Sequence, residues 1–584
     1  MYSYAKYFLP AACFLLLAVF FMQLPNPRLC ALRERRAKEY RLRRADAGIM
    51  AAITLVYAAA AFSGLGNTKS PQSFVYLGDR TAEIELDLGG GTASKLMLFT
   101  GVGLGSYTVE YTTDGSDLYT LCTVEQSHAD VLKWIRADCD YMVTGGTIRI
   151  RGTGNVWLGE VVALTEEGET VPAVSGTPEL IDEQALCPDR QTFLNSTYFD
   201  EIYHARTAWE HLHGVWPYEI THPPLGKCII SLGVALFGMT PFGWRFSGTL
   251  FGVLMLPILY IFAKKLFGGR LVPAATTALM ATDFMHFVQT RIATIDTYAV
   301  FFTLLMYLFL YLFITGRRLR DLALCGLSFG LGAASKWTCF YAGAGLAVIW
   351  LLWVIQEFRT KRMDWAGFAK NALFCVAVFV LIPALIYDLS YLPYGIAKGV
   401  RNPFSREYLN MVLDNQRYMF NYHSQLVATH PYSSHWYQWI LDIRPILYYL
   451  DYLPDGRHVS FGAFVNPVLC WGGLMALFVL LSLVVLRRDR VSAYLLLGYL
   501  AQLLPWVLVP RLTFAYHYFP CTVFLALALG RCFDLMQRCR KPGKLLVGGF
   551  VGLSLVVFVL FYPNLAGLPI PNGILRSWLP TWPF

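Results

Sequence analysis

Charged residues are scarce in this sequence, at 15% of 584 residues, whereas hydrophobic residues make up 56%. A soluble domain keeps about a quarter of its residues charged to cover its surface. The charges cluster between long apolar runs, and a run of about 20 apolar residues crosses the hydrocarbon core of a bilayer. Runs that approach or reach this length lie at 250–263, 299–315, 341–356, 371–387, 467–486 and 544–562. The sequence therefore predicts a polytopic membrane protein.

Motifs of several soluble enzyme classes are also missing. The 13 cysteines include no CxxC pair and no Cys/His spacing typical of a metal site, and no P-loop, dinucleotide fingerprint or internal repeat is present. The glycines of Gly101–Gly105 lie in a β-rich region with no helix after them, so we expect no phosphate-binding loop there. Cys122 and Cys139 both fall in a segment predicted outside the membrane, and a disulfide between them is left open.

Basic clusters at the ends of the apolar runs account for the net charge of +9. Such clusters mark cytoplasmic loops, so the charge indicates topology and predicts no nucleic-acid partner. The clusters lie at 28–44, 264–265, 317–320, 359–362, 487–490 and 538–544. Each interval between them accommodates two crossings, which predicts about twelve helices with every cluster on one face. Because positive charge follows the apolar stretch 7–24, this stretch is predicted to be a retained helix and not a signal peptide.

Residues 68–175 differ in character from the rest of the chain. Period-two alternation at 83–88, 107–111 and 147–150, with glycine-rich turns, predicts strands. We therefore expect an extracytoplasmic β-sandwich inserted at 66–180. The other predicted divisions are two N-terminal helices with a basic cytoplasmic loop (1–65), a first outer loop with juxtamembrane helices (181–240), a transmembrane bundle (241–390), a second outer loop (391–463) and C-terminal transmembrane helices (464–584).

Candidate chemical groups concentrate in the predicted outer segments. Asp200 and Glu201 are adjacent carboxylates in an otherwise aromatic and apolar stretch; an ordinary helix N-terminus is the alternative, because acidic residues favour that end of the helix dipole. About twenty residues later comes a His-Pro-Pro-Leu-Gly-Lys stretch, 222–227, a stiff turn before a helix. Further motifs follow in order: Trp244-Arg245, Arg291 to Asp296, Ser335-Lys336-Trp337, His430-Pro431-Tyr432-Ser433-Ser434, and Pro510-Arg511 with Tyr516-His517-Tyr518.

In this order, over residues 195–525, these motifs resemble those of the protein O-mannosyltransferases, family 39 of the GT-C glycosyltransferases. The resemblance implies a mostly α-helical GT-C bundle in the cell membrane, whereas the inserted β-sandwich and the extra first helix lie outside the usual plan of the family. It also implies an inverting enzyme that moves mannose or a related hexose from a polyprenyl phosphate to Ser or Thr hydroxyls of exported proteins, on the extracytoplasmic side. The eukaryotic members carry a β-trefoil in the second outer loop, for which 391–463 is too short. This departure favours a bacterial relative.

The resemblance also suggests a role for each candidate residue. Asp200 is expected to take the proton of the acceptor hydroxyl, with Glu201 assisting. Because charge develops on the leaving phosphate, fixed cations should stabilise it. The expected phosphate-binding residues are Arg245, Arg291, Lys336, Arg511 and His517, and the expected substrate-binding residues are His222, His430, Tyr432, Tyr516 and Tyr518. For Arg291, an ion pair with Asp296 that holds two helices together is the alternative.

Cofactor and partner expectations follow from the same residues. No obligatory metal is expected, because the adjacent side chains of Asp200 and Glu201 point apart on a helix, although a divalent cation would be compatible with them. The expected partners are the lipid-linked donor, the exported protein acceptor, the bilayer and, as an open option, a second copy of the chain.

Three other functions compete with this interpretation. A GT-C transferase could use a lipid or cell-wall glycan as acceptor, as the aminoarabinose transferases do. A transporter is disfavoured, because transporters commonly show repeated halves with polar groups near the midplane, whereas here the polar groups concentrate at one face. A catalytically silent scaffold is disfavoured by the presence of Asp200.

Overall fold

The computed structural model describes residues 2–25, 37–86, 92–113, 115–539, 542–571 and 578–583. The chain divides into two compact units. The β unit comprises Gly64–Glu219 and Ile229–Ser247. The membrane unit comprises Met1–Ser63, Ile220–Cys228 and Gly248–Phe584. The predicted mostly α-helical fold with an added β region is confirmed.

Helices make up most of the described chain, and they begin and end close to the predicted apolar runs. Their bounds are α1 Tyr2–Met22, α2 Arg44–Phe62, α3 Glu201–Leu212, α4 Leu225–Phe237, α5 Pro241–Phe267, α6 Leu271–Ala281, α7 Phe284–Thr290, α8 Asp296–Gly316, α9 Leu319–Ser335, α10 Cys339–Arg359, α11 Trp365–Val376, α12 Ile382–Leu389, α13 Leu392–Ala397, α14 Arg406–Gln425, α15 Trp436–Trp439, α16 Pro467–Arg487, α17 Arg490–Leu503, α18 Phe519–Cys539 and α19 Gly543–Ala566. A π-helical turn, Ala377–Leu381, joins α11 to α12.

Nine helical segments of the described chain are long and apolar enough to cross a membrane, or ten if the bent pair α6 and α7 forms one span. Two shorter apolar helices, Phe8–Met22 and Leu225–Phe237, accompany them. The prediction of about twelve helices therefore agrees roughly with the structure. The predicted basic clusters stand at helix ends, for example Lys264 and Lys265 in the last turn of α5. The part of the first cluster at 26–36 lies outside the described residues.

Small residues and buried ion pairs hold the membrane unit together. A Cβ on Gly326 of α9 would overlap the carbonyl of Val378, so glycine allows these two backbones to approach closely. Near the basic end of the bundle, Asp46 of α2 accepts hydrogen bonds from Lys264 (2.8 Å) and Tyr260 (2.9 Å) of α5. Because a lone buried charge is strongly destabilising, these partners account for a carboxylate buried at this position.

The β unit contains one eight-stranded antiparallel sheet with the order β4-β3-β6-β2-β8; β5 also pairs with β3, and β1 and β7 pair with β6. A separate pair, β9 and β10, lies in the membrane unit. The bounds are β1 Val75–Tyr76, β2 Thr81–Leu86, β3 Ala93–Thr112, β4 Tyr119–Gln126, β5 Trp134–Val143, β6 Gly146–Leu164, β7 Thr170–Val171, β8 Ala173–Gly176, β9 Ile446–Tyr452 and β10 His458–Ala463. The predicted strand segments are thus confirmed, except for 87–88, which lie outside the described residues.

The long strands β3 and β6 bend together at glycines. Gly103 has a φ of 103°, and a Cβ there would overlap the carbonyl oxygen of Asn155 on β6; only glycine fits such a position readily. Leu96 and Leu98 from one half of β3 and Val109 from the other half belong to the same buried hydrophobic core. The expected sandwich packing is therefore made by one continuous folded sheet. The glycine-rich stretch lies within a strand, as predicted, and not in a phosphate-binding loop.

Candidate active site

Asp200 precedes α3 as its N-cap residue and is half-buried. Its backbone carbonyl accepts hydrogen bonds from the N–H groups of Tyr203 (3.1 Å) and His204 (3.2 Å), while its side chain makes no capping bond. The preceding residue, Phe199, has a φ of 48°, a left-handed conformation that costs a non-glycine residue about 1–3 kcal/mol and is concentrated at functional sites. The structure thus places both acids at a helix N-terminus, as the alternative interpretation expects, and the Asp200 side chain is not used as a capping acceptor.

Glu201 is fully buried in the β unit and forms a bidentate ion pair with Arg245. The guanidinium Nε donates to Oε1 and Nη2 donates to Oε2, each at 2.7 Å. Nη1 donates to the carbonyl of Leu65 (2.8 Å), and Nη2 also reaches the carbonyl of Ser196 (3.2 Å). All three nitrogens of Arg245 thus bind protein oxygens, so we assign Arg245 to positioning the start of α3 and do not retain it as a phosphate ligand.

The membrane unit contains a cavity of about 390 Å³. Most of the residues of this unit that were predicted to bind phosphate line the cavity. Its walls combine cations and histidines with aromatic and aliphatic side chains. The lining residues are Thr221, His222, Pro223, Lys336, Trp337, Thr338, Tyr341, Phe420, His423, Ser424, Trp506, Leu508, Val509, Pro510, Arg511 and His517. A pocket with this mixture suits an anionic group that carries an apolar tail.

Lys336 follows the last residue of α9 and enters this cavity from one wall. Its Nζ lies 2.7 Å from Oδ1 of Asp296, the first residue of α8. The alternative pairing of Asp296 with Arg291 is therefore wrong, because Lys336 is its partner. Asp296 and His517 also line a smaller cavity, which shares Tyr341 and Trp506 with the larger one.

Arg291 binds backbone carbonyls in the membrane unit. Its Nε donates to Ala61 (3.0 Å), Nη2 to Ser63 (2.8 Å) and Nη1 to Leu565 (3.2 Å). These acceptors lie at the ends of α2 and α19, so Arg291 satisfies helix-terminal carbonyls that have no partner within their own helix. We do not retain it as a phosphate ligand.

His423 was not identified from the sequence, yet it faces His222 in the cavity, with ring centroids 5.1 Å apart. Its Nε2 donates to the carbonyl of Thr221 (2.8 Å), and its buried Nδ1 has no partner among the described residues. Burial and the charges of His222, Arg511 and Lys336 lower the pKa of His423 to about 4. The ring is therefore neutral near pH 7, and its Nδ1 is a hydrogen-bond acceptor.

The remaining predicted residues differ in their surroundings. His517 packs against Trp506, with centroids 4.3 Å apart, and Lys336 Nζ lies 5.7 Å from the centre of the Tyr516 ring. Tyr518 is buried, with its hydroxyl 2.7 Å from that of Tyr499, which indicates a packing role. The ring of His430 accepts a hydrogen bond from the backbone N–H of Tyr432 (3.1 Å), and neither of these two residues is among those that line the cavity.

One cluster of three acidic residues in the described chain could supply close metal ligands: Glu160, Asp182 and Glu183 of the β unit. It does not include Asp200, and Glu201 is already bound by Arg245. The expectation that no metal is obligatory stays a prediction.

Comparisons with known proteins point to one family. A family model for dolichyl-phosphate-mannose-protein mannosyltransferases matches residues 221–387, and a model for the C-terminal four-helix transmembrane region of protein O-mannosyltransferases matches residues 408–582. The polyprenol-phosphate-mannose–protein mannosyltransferase of Mycolicibacterium smegmatis is 27% identical over 450 residues, which cover 66% of this chain and 87% of the relative. The same-named protein of Corynebacterium glutamicum is 24% identical over 469 residues, covering 66% and 88%.

The fold has a solved counterpart. The Saccharomyces cerevisiae protein O-mannosyltransferase Pmt1-Pmt2 complex bound to the sugar donor matches with a TM-score of 0.58 at 13% sequence identity. The match covers 66% of this chain and 89% of that one. At this identity the similarity shows a shared fold, and it agrees with the helical bundle described above.

Proposed function

Because the chain belongs to the protein O-mannosyltransferase family, we propose that it transfers mannose from a polyprenyl phosphate to Ser or Thr hydroxyls of exported proteins. The observation that carries this proposal is the cavity of the membrane unit, in which Lys336, Arg511 and three histidines meet aromatic walls. Bacterial relatives that are named for the same reaction match this chain over 87% and 88% of their own length.

The proposed base is Asp200. As the acceptor oxygen attacks the anomeric carbon, its proton passes to the Asp200 carboxylate, and the bond between that carbon and the phosphate oxygen breaks. The bonding electrons leave with the polyprenyl phosphate, so charge is conserved. A positioned carboxylate contributes typically 10²–10⁴-fold to such a step. A single displacement inverts the anomeric configuration.

Lys336 and Arg511 are the proposed cations for the departing phosphate. Preorganised charges in a site with little water stabilise a developing anion without reorganising during the reaction, and the planar guanidinium of Arg511 suits phosphate oxygens. The partner of Lys336, Asp296, neutralises part of this charge and holds the ammonium in place at 2.7 Å. His222 and His517 complete the polar wall.

We further propose that this cavity faces the extracytoplasmic side. Lys336 follows the C-terminus of α9, whereas Arg318 and Arg320 stand at the opposite end of that helix. Basic residues accumulate on the cytoplasmic side of membrane proteins. The distribution of basic residues along α9 therefore supports the proposal that the cavity faces the outer side.

The proposal is tested by incubating the purified, detergent-solubilised protein with labelled polyprenyl-phosphate-mannose and Ser/Thr-rich peptides. We expect label in the peptide with an α-linkage when the donor is β-linked. Polyprenyl-phosphate-glucose serves as the donor control, and a peptide with Ser and Thr replaced by Ala serves as the acceptor control. Transfer only to a lipid or glycan acceptor would contradict the protein acceptor, and transfer only from the glucose donor would contradict mannose.

A further inference from the structure

A second cavity, of about 270 Å³, lies in the membrane unit around the loops that join α8 to α9 and α10 to α11. These loops carry the basic clusters at 317–320 and 359–362. Because such clusters mark the cytoplasmic side, this cavity lies at the end of the helices opposite to Lys336. Nothing in the proposed transfer reaction uses it.

The charges that line this cavity are unbalanced. The buried Glu357 forms an ion pair with Arg317, in which Nη2 of Arg317 lies 2.6 Å from Oε2 of Glu357. Asp364 is the N-cap of α11 and accepts from the backbone N–H of Gly367 at 2.8 Å. Only the charge of Glu357 is neutralised by a cation, because the partner of Asp364 is an uncharged backbone N–H, and the lining keeps an excess of positive charge. Arg362 and Lys370 also line the cavity, and neither forms an ion pair with any part of the chain that the structure describes.

A third polar group points to a ligand. Trp353 lines the same cavity, and its indole Nε1 is buried with no hydrogen-bond acceptor among the described residues. A buried donor without a partner costs about 1–3 kcal/mol, so an acceptor supplied by a ligand would remove this cost. Two cations and one indole donor together suit phosphate oxygens.

The rest of the wall is apolar. Phe313, Leu319 and Met363 line the cavity beside the polar groups, and Trp365 next to it is exposed, as aromatic residues at a membrane interface commonly are. A free phosphate would leave this apolar wall unused, whereas a phospholipid presents a phosphate joined to acyl chains. Basic pockets between transmembrane helices on the cytoplasmic side bind anionic headgroups.

We propose that this cavity binds the headgroup of an anionic phospholipid of the cytoplasmic leaflet. Arg362 and Lys370 contact the phosphate, Trp353 donates a hydrogen bond to it, and the apolar wall packs against the upper part of an acyl chain. This proposal concerns the bilayer around the bundle and does not depend on which sugar or acceptor the enzyme uses.

The test measures the thermal unfolding midpoint of the full-length protein in a neutral detergent as phosphatidylglycerol is added. We expect a saturable rise, because a ligand that binds only the folded state stabilises it. Phosphatidylcholine and glycerol phosphate, at the same concentrations, should produce a rise at least five-fold smaller. An equal rise with phosphatidylcholine would overturn selectivity for anionic headgroups, and an equal rise with glycerol phosphate would overturn a lipid ligand.

Two double variants distinguish lipid binding in the cavity from a general effect of surface charge. Arg362→Gln with Lys370→Gln should weaken the apparent affinity for phosphatidylglycerol at least five-fold. All four residues are exposed, but Arg359 and Lys361 do not line the cavity. Arg359→Gln with Lys361→Gln therefore removes the same charge from the same loop region and should leave the affinity unchanged. Equal weakening by both pairs would overturn the proposal. If the first pair lowers the yield of folded protein, Trp353→Phe, which leaves all charges in place, should still reduce the affinity.

Discussion

Glu201 and Arg245 form an ion pair in which both carboxylate oxygens accept from the guanidinium at 2.7 Å, with the two side chains 0% and 1% exposed. The pair lies at the start of α3, directly after Asp200. The two adjacent acids therefore have different roles: Glu201 fixes the backbone, and Asp200 is the acid that we assign to proton transfer.

Loss of Arg245 should destabilise the protein. Arg245→Ala leaves the buried Glu201 without its cation, and breaking a buried pair in this way costs about 3–5 kcal/mol. We expect a marked fall in the unfolding midpoint. Arg511→Ala, which removes a cation that lines the cavity, is the matched control and should change stability little while weakening donor binding. An unchanged midpoint for Arg245→Ala together with weakened donor binding would restore Arg245 as a phosphate ligand.

Lys336 should affect the reaction through its charge. Lys336→Met removes the ammonium that we assign to the leaving phosphate, and loss of one such preorganised group costs about 10²–10³-fold in kcat. Lys336→Arg should recover part of the activity, because the charge is kept. Single-turnover rates with saturating donor check this expectation, with the exposed Lys361→Met as control. Equal activity of Lys336→Met and the wild type would refute the assignment.

His423 should make stability depend on pH. Its folded-state pKa of about 4 lies below the unfolded value of about 6.5, so the unfolded chain binds a proton between these values and the folded chain does not. Stability contributed by the neutral ring is therefore present above about pH 6.5 and is lost as the pH falls towards 4. The difference in unfolding midpoint between the wild type and His423→Gln should shrink or reverse over this range. A constant difference from pH 7 to pH 4.5 would contradict the lowered pKa.

Cys122 and Cys139 should form a disulfide when the β unit is exposed to an oxidising compartment. The two thiols are free in the structure; Cys122 lies on β4 and Cys139 on β5, and both strands pair with β3. Closing a loop of this size stabilises a protein by about 3 kcal/mol in the chain-entropy model. Mass spectrometry of non-reduced peptides from membranes should detect the linked pair, and Cys187, which is also in the β unit, serves as the unpaired control. Full alkylation of both thiols without reduction would contradict the prediction.

The sequence predicted those features that are encoded locally. Apolar runs near 20 residues predicted the spanning helices, and period-two alternation predicted β2, β3 and β6, because each pattern reflects the burial of a single element. The bend at Gly103 was not predicted, since it depends on the approach of Asn155 across the sheet.

The site was predicted only in part, because some of its residues are defined by tertiary contacts between distant parts of the sequence. In the sequence, Arg245, Arg291 and Lys336 are all cations near helix ends and cannot be told apart. Only the tertiary contacts show that the nitrogens of the two arginines bind protein oxygens. His423 depends on contact with Thr221, 202 positions away. A local signal for it does exist: Tyr408, Val412, Asn415 and Met419 mark the buried face of α14, and His423 continues this face by one further turn.

The most direct test of the account is the single-turnover rate of mannose transfer by Asp200→Asn, compared with the wild type and with Asp189→Asn, which changes an exposed acid of the same unit. Binding of the lipid donor is measured in parallel. The account predicts a fall of about 10²–10⁴-fold for Asp200→Asn, with donor affinity retained, and wild-type behaviour for Asp189→Asn. Wild-type transfer by Asp200→Asn would contradict the assignment of Asp200 as the base.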